Sequence, residues 1–326
     1  MNNTIKSQVV GVDIGVKLTT VAVVDLRGMI VGKDVFPTTD YANVNAFATA
    51  LSERIIMLAE ANGGFESIRS VGISAPSANF VTGSIENAGN LSWKGVIPLA
   101  AMMRDQLGIS VALGNDAHVT ALGEHVYGSA HGMRDFIVVS LGHGGVGSCI
   151  FSNGQPHLGI SGSAGEFGHT CVEDGGRLCN CGRRGCLEAY ASDRGIAQTA
   201  CELMEESDEP SLLRDLEELT PITIGECVDK GDTMATEVYR RTGAWLGRSL
   251  ANFAAVVNPE AIILTGELTD ASKWLMAPTL EAFEEFVFPN IRGRVKIVVS
   301  IIPNNERDVL GASALAWTVK EYSLFK

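Results

Sequence analysis

The chain has 326 residues, 46% of them hydrophobic and 19% charged, which suits two domains with real cores and excludes intrinsic disorder. Lys and Arg total 25 against 38 Asp and Glu, a formal charge of -13, so a general affinity for nucleic acid is excluded. No run of about 18 apolar residues occurs and no apolar leader opens the chain, so neither a membrane span nor secretion is expected and a cytoplasmic protein is.

Residues 8–13, 18–25 and 29–36 read as strands separated by glycine turns. Residues 43–62 have helical spacing, with Phe47, Leu51, Ile55 and Leu58 on one face. Residues 70–74 form a further strand, 98–107 a helix with Pro98 at its first position, 111–114 a short strand and 117–127 a helix. The pattern then restarts. Residues 136–140 are an apolar strand running into Leu141-Gly142-His143-Gly144-Gly145-Val146-Gly147. Residues 148–151 and 155–159 are strands joined by Asn153-Gly154, a strong hairpin signal. A long amphipathic helix spans 233–257 and ends at Asn258-Pro259. Strands at 261–265 and 295–302 and a helix at 310–322 complete the chain.

Each half thus opens with a three-strand meander and a glycine turn. The general habit of α/β proteins to repeat strands and turns would produce the same pattern. The more specific reading is a duplicated α/β fold with a cleft between lobes, a small lobe at 1–115 joined by the C-terminal helix 308–326 and a large lobe at 116–307. Glycine turns facing such a cleft suit a polyphosphate, because backbone N–H groups approach its oxygens without an intervening Cβ.

Three of the seven cysteines, Cys179, Cys181 and Cys186, lie within eight residues and follow His169. Three thiolates and one imidazole make a closed tetrahedral zinc set, which is structural because no ligand position stays open. The plain alternative is a group of reduced cysteines in a turn. Cys171 is the weaker ligand candidate beside His169. Arg183 and Arg184 are expected to ease thiol ionisation.

Glu166-Phe167-Gly168-His169 followed by Cys179-x-Cys181-Gly-x-x-Gly-Cys186-Leu187-Glu188 resembles the ROK family of sugar kinases and sugar-responsive repressors. The similarity runs over nearly the whole chain. Gly11-Val12-Asp13-Ile14-Gly15 resembles its first phosphate loop, Asn90-Leu91-Ser92-Trp93 its sugar-side segment, Leu113-Gly114-Asn115-Asp116-Ala117 its Asn-Asp element, and residues 310–314 its closing helix. The resemblance implies an actin/hexokinase-like (ribonuclease H-like) two-lobe fold and ATP-dependent phosphorylation of a hexose. It implies Asp116 as general base, and Asn90, Asn115, Asp116, Glu166, His169 and Glu188 as sugar ligands. It also implies Asp13, Gly15, Lys17, Gly142, His143, Gly144 and Gly266 on the magnesium–ATP side, His169, Cys179, Cys181 and Cys186 on zinc, and a homodimer or homotetramer. Read without the family, Asn115-Asp116 is a helix cap.

The nucleotide side departs from the family pattern. Val16-Lys17-Leu18 replaces the usual Gly-Thr-Lys, His143 replaces a threonine, Val146 stands where glycine is common, and Thr265-Gly266, followed by Glu267, stands where a Gly-Gly pair is usual. A valine is costly wherever the turn needs positive φ, while Lys17 and His143 are still phosphate donors. Kinase is the leading reading, and a sugar-binding sensor with impaired ATP binding is the rival. Family repressors carry a winged helix-turn-helix before the first loop, where this sequence has about ten residues, so DNA binding through a domain of its own is not expected.

Overall fold

A computed structural model of the chain describes residues 6–142 and 145–319. These divide into two compact units, one running to Gly132 with Ile160–Gly162 and the chain from Ile301, the other comprising Met133–Gly159 and Ser163–Ser300.

The first unit contains β1 (Gln8–Ile14), β2 (Leu18–Asp25), β3 (Ile30–Pro37), α1 (Val44–Ala61), β4 (Ile68–Ser74), β5 (Ala78–Asn79), β6 (Ser84–Glu86), β7 (Val96–Ile97), α2 (Leu99–Leu107), β8 (Ser110–Gly114) and α3 (Asp116–Val126). The second contains β9 (Phe136–Gly142), β10 (Gly145–Ser152), β11 (Gln155–Pro156), α4 (Glu188–Ala191), α5 (Asp193–Glu206), α6 (Pro221–Asp229), α7 (Thr233–Val257), β12 (Ala261–Thr265), α8 (Ser272–Phe286) and β13 (Lys296–Val299). The closing helix α9 (Asn304–Thr318) returns to the first unit.

The sheets have the same order, β3-β2-β1-β4-β8 and β11-β10-β9-β12-β13. In each, an antiparallel meander is followed by two parallel strands. This is the duplication that the glycine turns suggested. One core forms around Val10, Val12, Phe47 and Ile55, the other around Ile137, Val139, Leu246 and Ile262.

The first unit extends past the expected border at residue 115, because α3 belongs with α9. A Cβ on Gly123 would stand 3.0 Å from the Cα of Gly311, a helix contact that only glycines permit. On its other side α9 lies on β1 and β4, where a Cβ on Gly11 or Gly72 would strike a carbonyl of α9 at 2.2 or 2.0 Å. The small residues of 311–316 are therefore the condition for burying this helix against the sheet.

Helix α9 starts six residues before the expected 310, because its first turn is polar and carries no apolar periodicity. Pro98 caps α2 instead of occupying its first position. The strand expected at 295–302 is confined to β13, the stretch that pairs with β12. Helices α4, α5, α6 and α8 and the small β5–β7 sheet had no expectation.

Candidate functional site

The first glycine turn is tied by backbone and hydroxyl bonds. Gly15 N–H donates to the Leu18 carbonyl at 3.0 Å, and Thr38 N–H to the Lys17 carbonyl at 2.9 Å. Thr38 Oγ1 donates to the Gly15 carbonyl at 2.9 Å and meets Thr19 Oγ1 at 2.8 Å. Val16 and Lys17 are exposed, and Val16 lies outside the left-handed region, so its β-branch is not strained.

Asp13, one residue before the end of β1, lies between Thr20 of β2 and Ser74 of β4. Burial first, then the Asp308 carboxylate, raise its carboxyl to about 7; Asp116 adds to this, while Ser74 and Arg307 oppose it. Asp116 is the exposed first residue of α3, with Oδ1 accepting from Ala117 N–H at 2.8 Å. Asn115 caps the same helix, its Oδ1 accepting from Ala117 N–H at 2.9 Å. The capping reading therefore holds for Asn115, and it leaves Asp116 at the helix mouth. Asp13, pressed by the charges of Asp308 and Asp116, offers with them an oxygen-donor set of the kind a hard divalent cation relieves.

Asp308 and Arg307 were not expected in this group. Arg307 is 8% exposed and grips Asp308 with two bonds, Nε to Oδ1 at 2.7 Å and Nη2 to Oδ2 at 2.9 Å. The pair sits in the polar first turn of α9, which periodicity did not detect. Asn90 is exposed in a loop that Lys94 gathers, its ammonium donating to the Leu91 carbonyl at 3.0 Å and to those of Ala88 and Gly89 at 3.4 Å. Leu91 and Trp93 anchor that loop in the core, with Trp93 Nε1 donating to the Tyr41 carbonyl at 2.8 Å.

In the second unit, His143 and Gly144 lie outside the described residues. Around them, carboxylates back the glycines. A Cβ on Gly142 would stand 2.0 Å from Glu267 Oε2, and one on Gly145, at φ 116°, 2.1 Å from Glu188 Oε2. Gly266, at φ 97°, packs so closely on β9 that a Cβ would meet the Leu141 carbonyl at 2.2 Å. Val146 is buried, is not left-handed, and donates its N–H to Glu188 Oε2 at 3.2 Å. Neither valine substitution strains its turn. The substitution with a consequence is Glu267, which brings a negative charge to Gly142.

His169, Cys179, Cys181 and Cys186 come together with their ligand atoms all within 4.8 Å of one another. Cys181 Sγ lies 3.7 Å from Cys186 Sγ, and Cys179 Sγ 3.6 Å from His169 Nδ1. Zinc at ordinary bond lengths needs ligand edges of about 3.5–3.8 Å, so the set fits this ion. Burial pushes the Cys179 thiol up to about 12, whereas the Arg183 backbone N–H holds Cys181 below the usual thiol range, with the Arg183 charge a smaller help. A bound cation offsets the first effect.

Glu188, the buried first residue of α4, joins this cluster to the glycine loop: its Oε2 meets Val146 and its Oε1 accepts from the Cys179 thiol at 3.5 Å. Glu166 is exposed and precedes the 3-10 turn Phe167–His169. Arg177, also missed from sequence, fastens the cysteine loop to α4 and α5. It bonds Glu202 at 2.9 Å, the Ala189 and Gly195 carbonyls at 3.0 Å and Thr199 at 2.9 Å, and its guanidinium lies 4.5 Å over the Tyr190 ring.

The model of the ROK family matches residues 9–319. A glucokinase of Halalkalibacterium halodurans is 31% identical over 96% of this chain and 94% of its own. An N-acetylglucosamine repressor of Escherichia coli is 32% identical over 67% of this chain, which spans 52% of that protein. Among solved structures, a ROK family glucokinase from Streptomyces griseus in complex with glucose and AMPPNP superposes with a TM-score of 0.76 at 27% identity, covering 96% of this chain and 100% of that one. The chain belongs to the ROK family, and its fold is the actin/hexokinase-like one of those kinases.

Proposed function

We propose that this chain transfers the γ-phosphoryl group of ATP to a hydroxyl of a hexose or hexose derivative. The observation that carries this reading is the position of Asp116, exposed at the mouth of α3 and close enough to influence the buried Asp13 electrostatically. Asp116 accepts the proton of the attacking sugar hydroxyl. By the family resemblance, Asn90, Asn115, Glu166, His169 and Glu188 take the remaining hydroxyls. Asp13, Gly15, Lys17, Gly142, His143, Gly144 and Gly266 serve the nucleotide.

Magnesium, when bound with ATP, neutralises charge developing on the phosphate oxygens, and Asp13 with Asp308 is the carboxylate set suited to it. Zinc would be held by His169 Nδ1, Cys179, Cys181 and Cys186, and supplies rigidity. With Cys179 held as a thiolate, Glu188 Oε1 would be free for a sugar hydroxyl, and His169 Nε2 would be left for another. Elemental analysis is expected to find about one zinc per chain, as a closed four-ligand site requires; less than half an equivalent with reduced cysteines refutes the zinc assignment. A homo-oligomer is expected from the family.

A sugar sensor is the second reading, and Glu267 favours it. A carboxylate against Gly142 repels a polyphosphate where the loop would otherwise receive one. Coupled ADP release measured with glucose, mannose, fructose, allose and N-acetylhexosamines separates the two. Sugar-dependent ADP supports the kinase. Thermal stabilisation by a sugar without ADP above background supports the sensor.

A further inference from the structure

Cys171 is an exposed free thiol outside the four-residue cluster, on the strand-like segment that follows His169. It forms an isolated antiparallel bridge with Cys186, one of the cluster's own ligands. The hydrogen bonds beside this pair define its type. Val172 N–H donates to the Gly185 carbonyl at 2.8 Å, and Leu187 N–H to the Thr170 carbonyl at 3.0 Å. The bonds flank the pair and do not join it, so Cys171 and Cys186 form a non-hydrogen-bonded pair. Such partners have Cα atoms about 4.5 Å apart with side chains on one face. That spacing falls within the range of about 4.4–6.8 Å that disulfides span. Cys171 Sγ leans on Gly185, 3.2 Å from where a Cβ would stand, so the residue beside Cys186 leaves the thiol its room.

We infer that Cys171 and Cys186 are an oxidation site, a cross-strand thiol pair that a hydroperoxide converts to a disulfide at the expense of the cluster's metal. The exposed Cys171 thiol attacks the peroxide oxygen, breaking the O–O bond and giving a sulfenic acid and an alcohol or water. The Cys186 thiolate then attacks the sulfenic sulfur. The S–S bond forms, the S–O bond breaks, and hydroxide leaves to be protonated by water. The two electrons come from the thiols and end on the peroxide oxygens. Cys186 is lost as a ligand, and a three-ligand remnant releases its ion more readily.

The disulfide itself needs no metal; only the release step rests on the proposed zinc. The full chain, assayed for zinc as purified, is treated with hydrogen peroxide. Zinc release is followed with a chromogenic chelator, and disulfides are mapped by non-reducing peptide mass spectrometry. A Cys171–Cys186 disulfide accompanied by zinc release and reversed by dithiothreitol is expected. Cys171→Ser should purify with zinc, form no such disulfide and release zinc at least about tenfold more slowly, since the thiol that attacks the peroxide is gone. Cys201→Ser, at an exposed cysteine elsewhere, should behave as wild type. A map dominated by disulfides among Cys179, Cys181 and Cys186, or equal release rates in wild type and Cys171→Ser, overturns the proposal. Protein purified without zinc refutes the zinc assignment, and the disulfide map then decides the thiol pair alone.

Discussion

The two glycine turns sit on the same skeleton and carry different chemistry. In the first unit, β1 lies between β2 and β4, and Asp13 is in register with Thr20 and Ser74. In the second, β9 lies between β10 and β12, and Ser140 is in register with Gly147 and Thr265. One site puts an acid where the other puts a hydroxyl. The first turn is closed by threonine hydroxyls and gathers Asp13, Asp116 and Asp308 beside Arg307. The second has carboxylates packed directly behind its glycines, Glu267 at Gly142 and Glu188 at Gly145. The duplicated backbone supplies two similar turns, and a few side chains give them different charged surroundings.

The largest expected effect comes from the first turn. Asp116→Asn removes the proposed base, so turnover should fall by about 10²–10⁴-fold while sugar affinity, read by calorimetry, changes little. Equal losses in both would make Asp116 a binding residue only. Next is the support of the second turn. Arg177→Ala removes the guanidinium that Glu202, Thr199 and the Ala189 and Gly195 carbonyls share, leaving Glu202 with its Gln198 bond. Breaking such a pair costs about 3–5 kcal/mol when fully buried, and about 3 is expected here because solvent reaches Glu202, whose side chain is 38% exposed. Denaturant unfolding measures it; a loss below about 1 kcal/mol means the cysteine loop does not depend on this anchor.

Stripping zinc with a chelator should lower the melting temperature by roughly 5–10 °C, on the order of 2–3 kcal/mol, if the cluster holds the second turn through Glu188. An unchanged melt would detach the cluster from the turn. Glu267→Gly removes the carboxylate packed against Gly142. It should tighten ATP binding by on the order of tenfold, about 1.4 kcal/mol of relieved repulsion. Unchanged binding in a protein that does bind ATP would clear Glu267. No binding in either protein would place the defect elsewhere in the second turn.

A separate test is a pH dependence in the first turn. The Asp13 carboxyl rises from 3.8 in the open chain to about 7 in the fold, chiefly through burial. The folded state therefore holds the proton between these values and the unfolded state does not, so this group's contribution to stability is present below about pH 4 and lost as pH rises toward 7. Asp13→Asn should flatten that slope in metal-free, nucleotide-free protein. An unaltered slope would show that Asp13 is not the group that titrates.

Much of the candidate site was legible because its parts are short and chemically marked. His169 and the three cysteines lie within 18 residues, and their gathering follows from metal-ligand spacing. Asn115-Asp116 was legible as a strand end followed by a helix. Arg307 and Asp308 were not, because they occupy a polar helical turn remote in sequence from Asp13. Arg177 was not legible either, because its carbonyl, carboxylate and aromatic partners come from helices outside the cysteine loop. The valines looked harmful in sequence because a glycine loop suggests positive φ, yet the left-handed positions fall on Gly145 and Gly266.

Local pattern by itself determined the strands, the paired meanders, the family and the cysteine–histidine set, because each rests on spacing within a few turns of chain. Only the tertiary structure decided which charges meet. It brought Asp308 to Asp13 and Glu267 to Gly142, and it set Cys171 opposite Cys186. Those encounters depend on which helix packs on which strand, and for α9 that packing rests on glycines whose missing Cβ atoms let backbones touch.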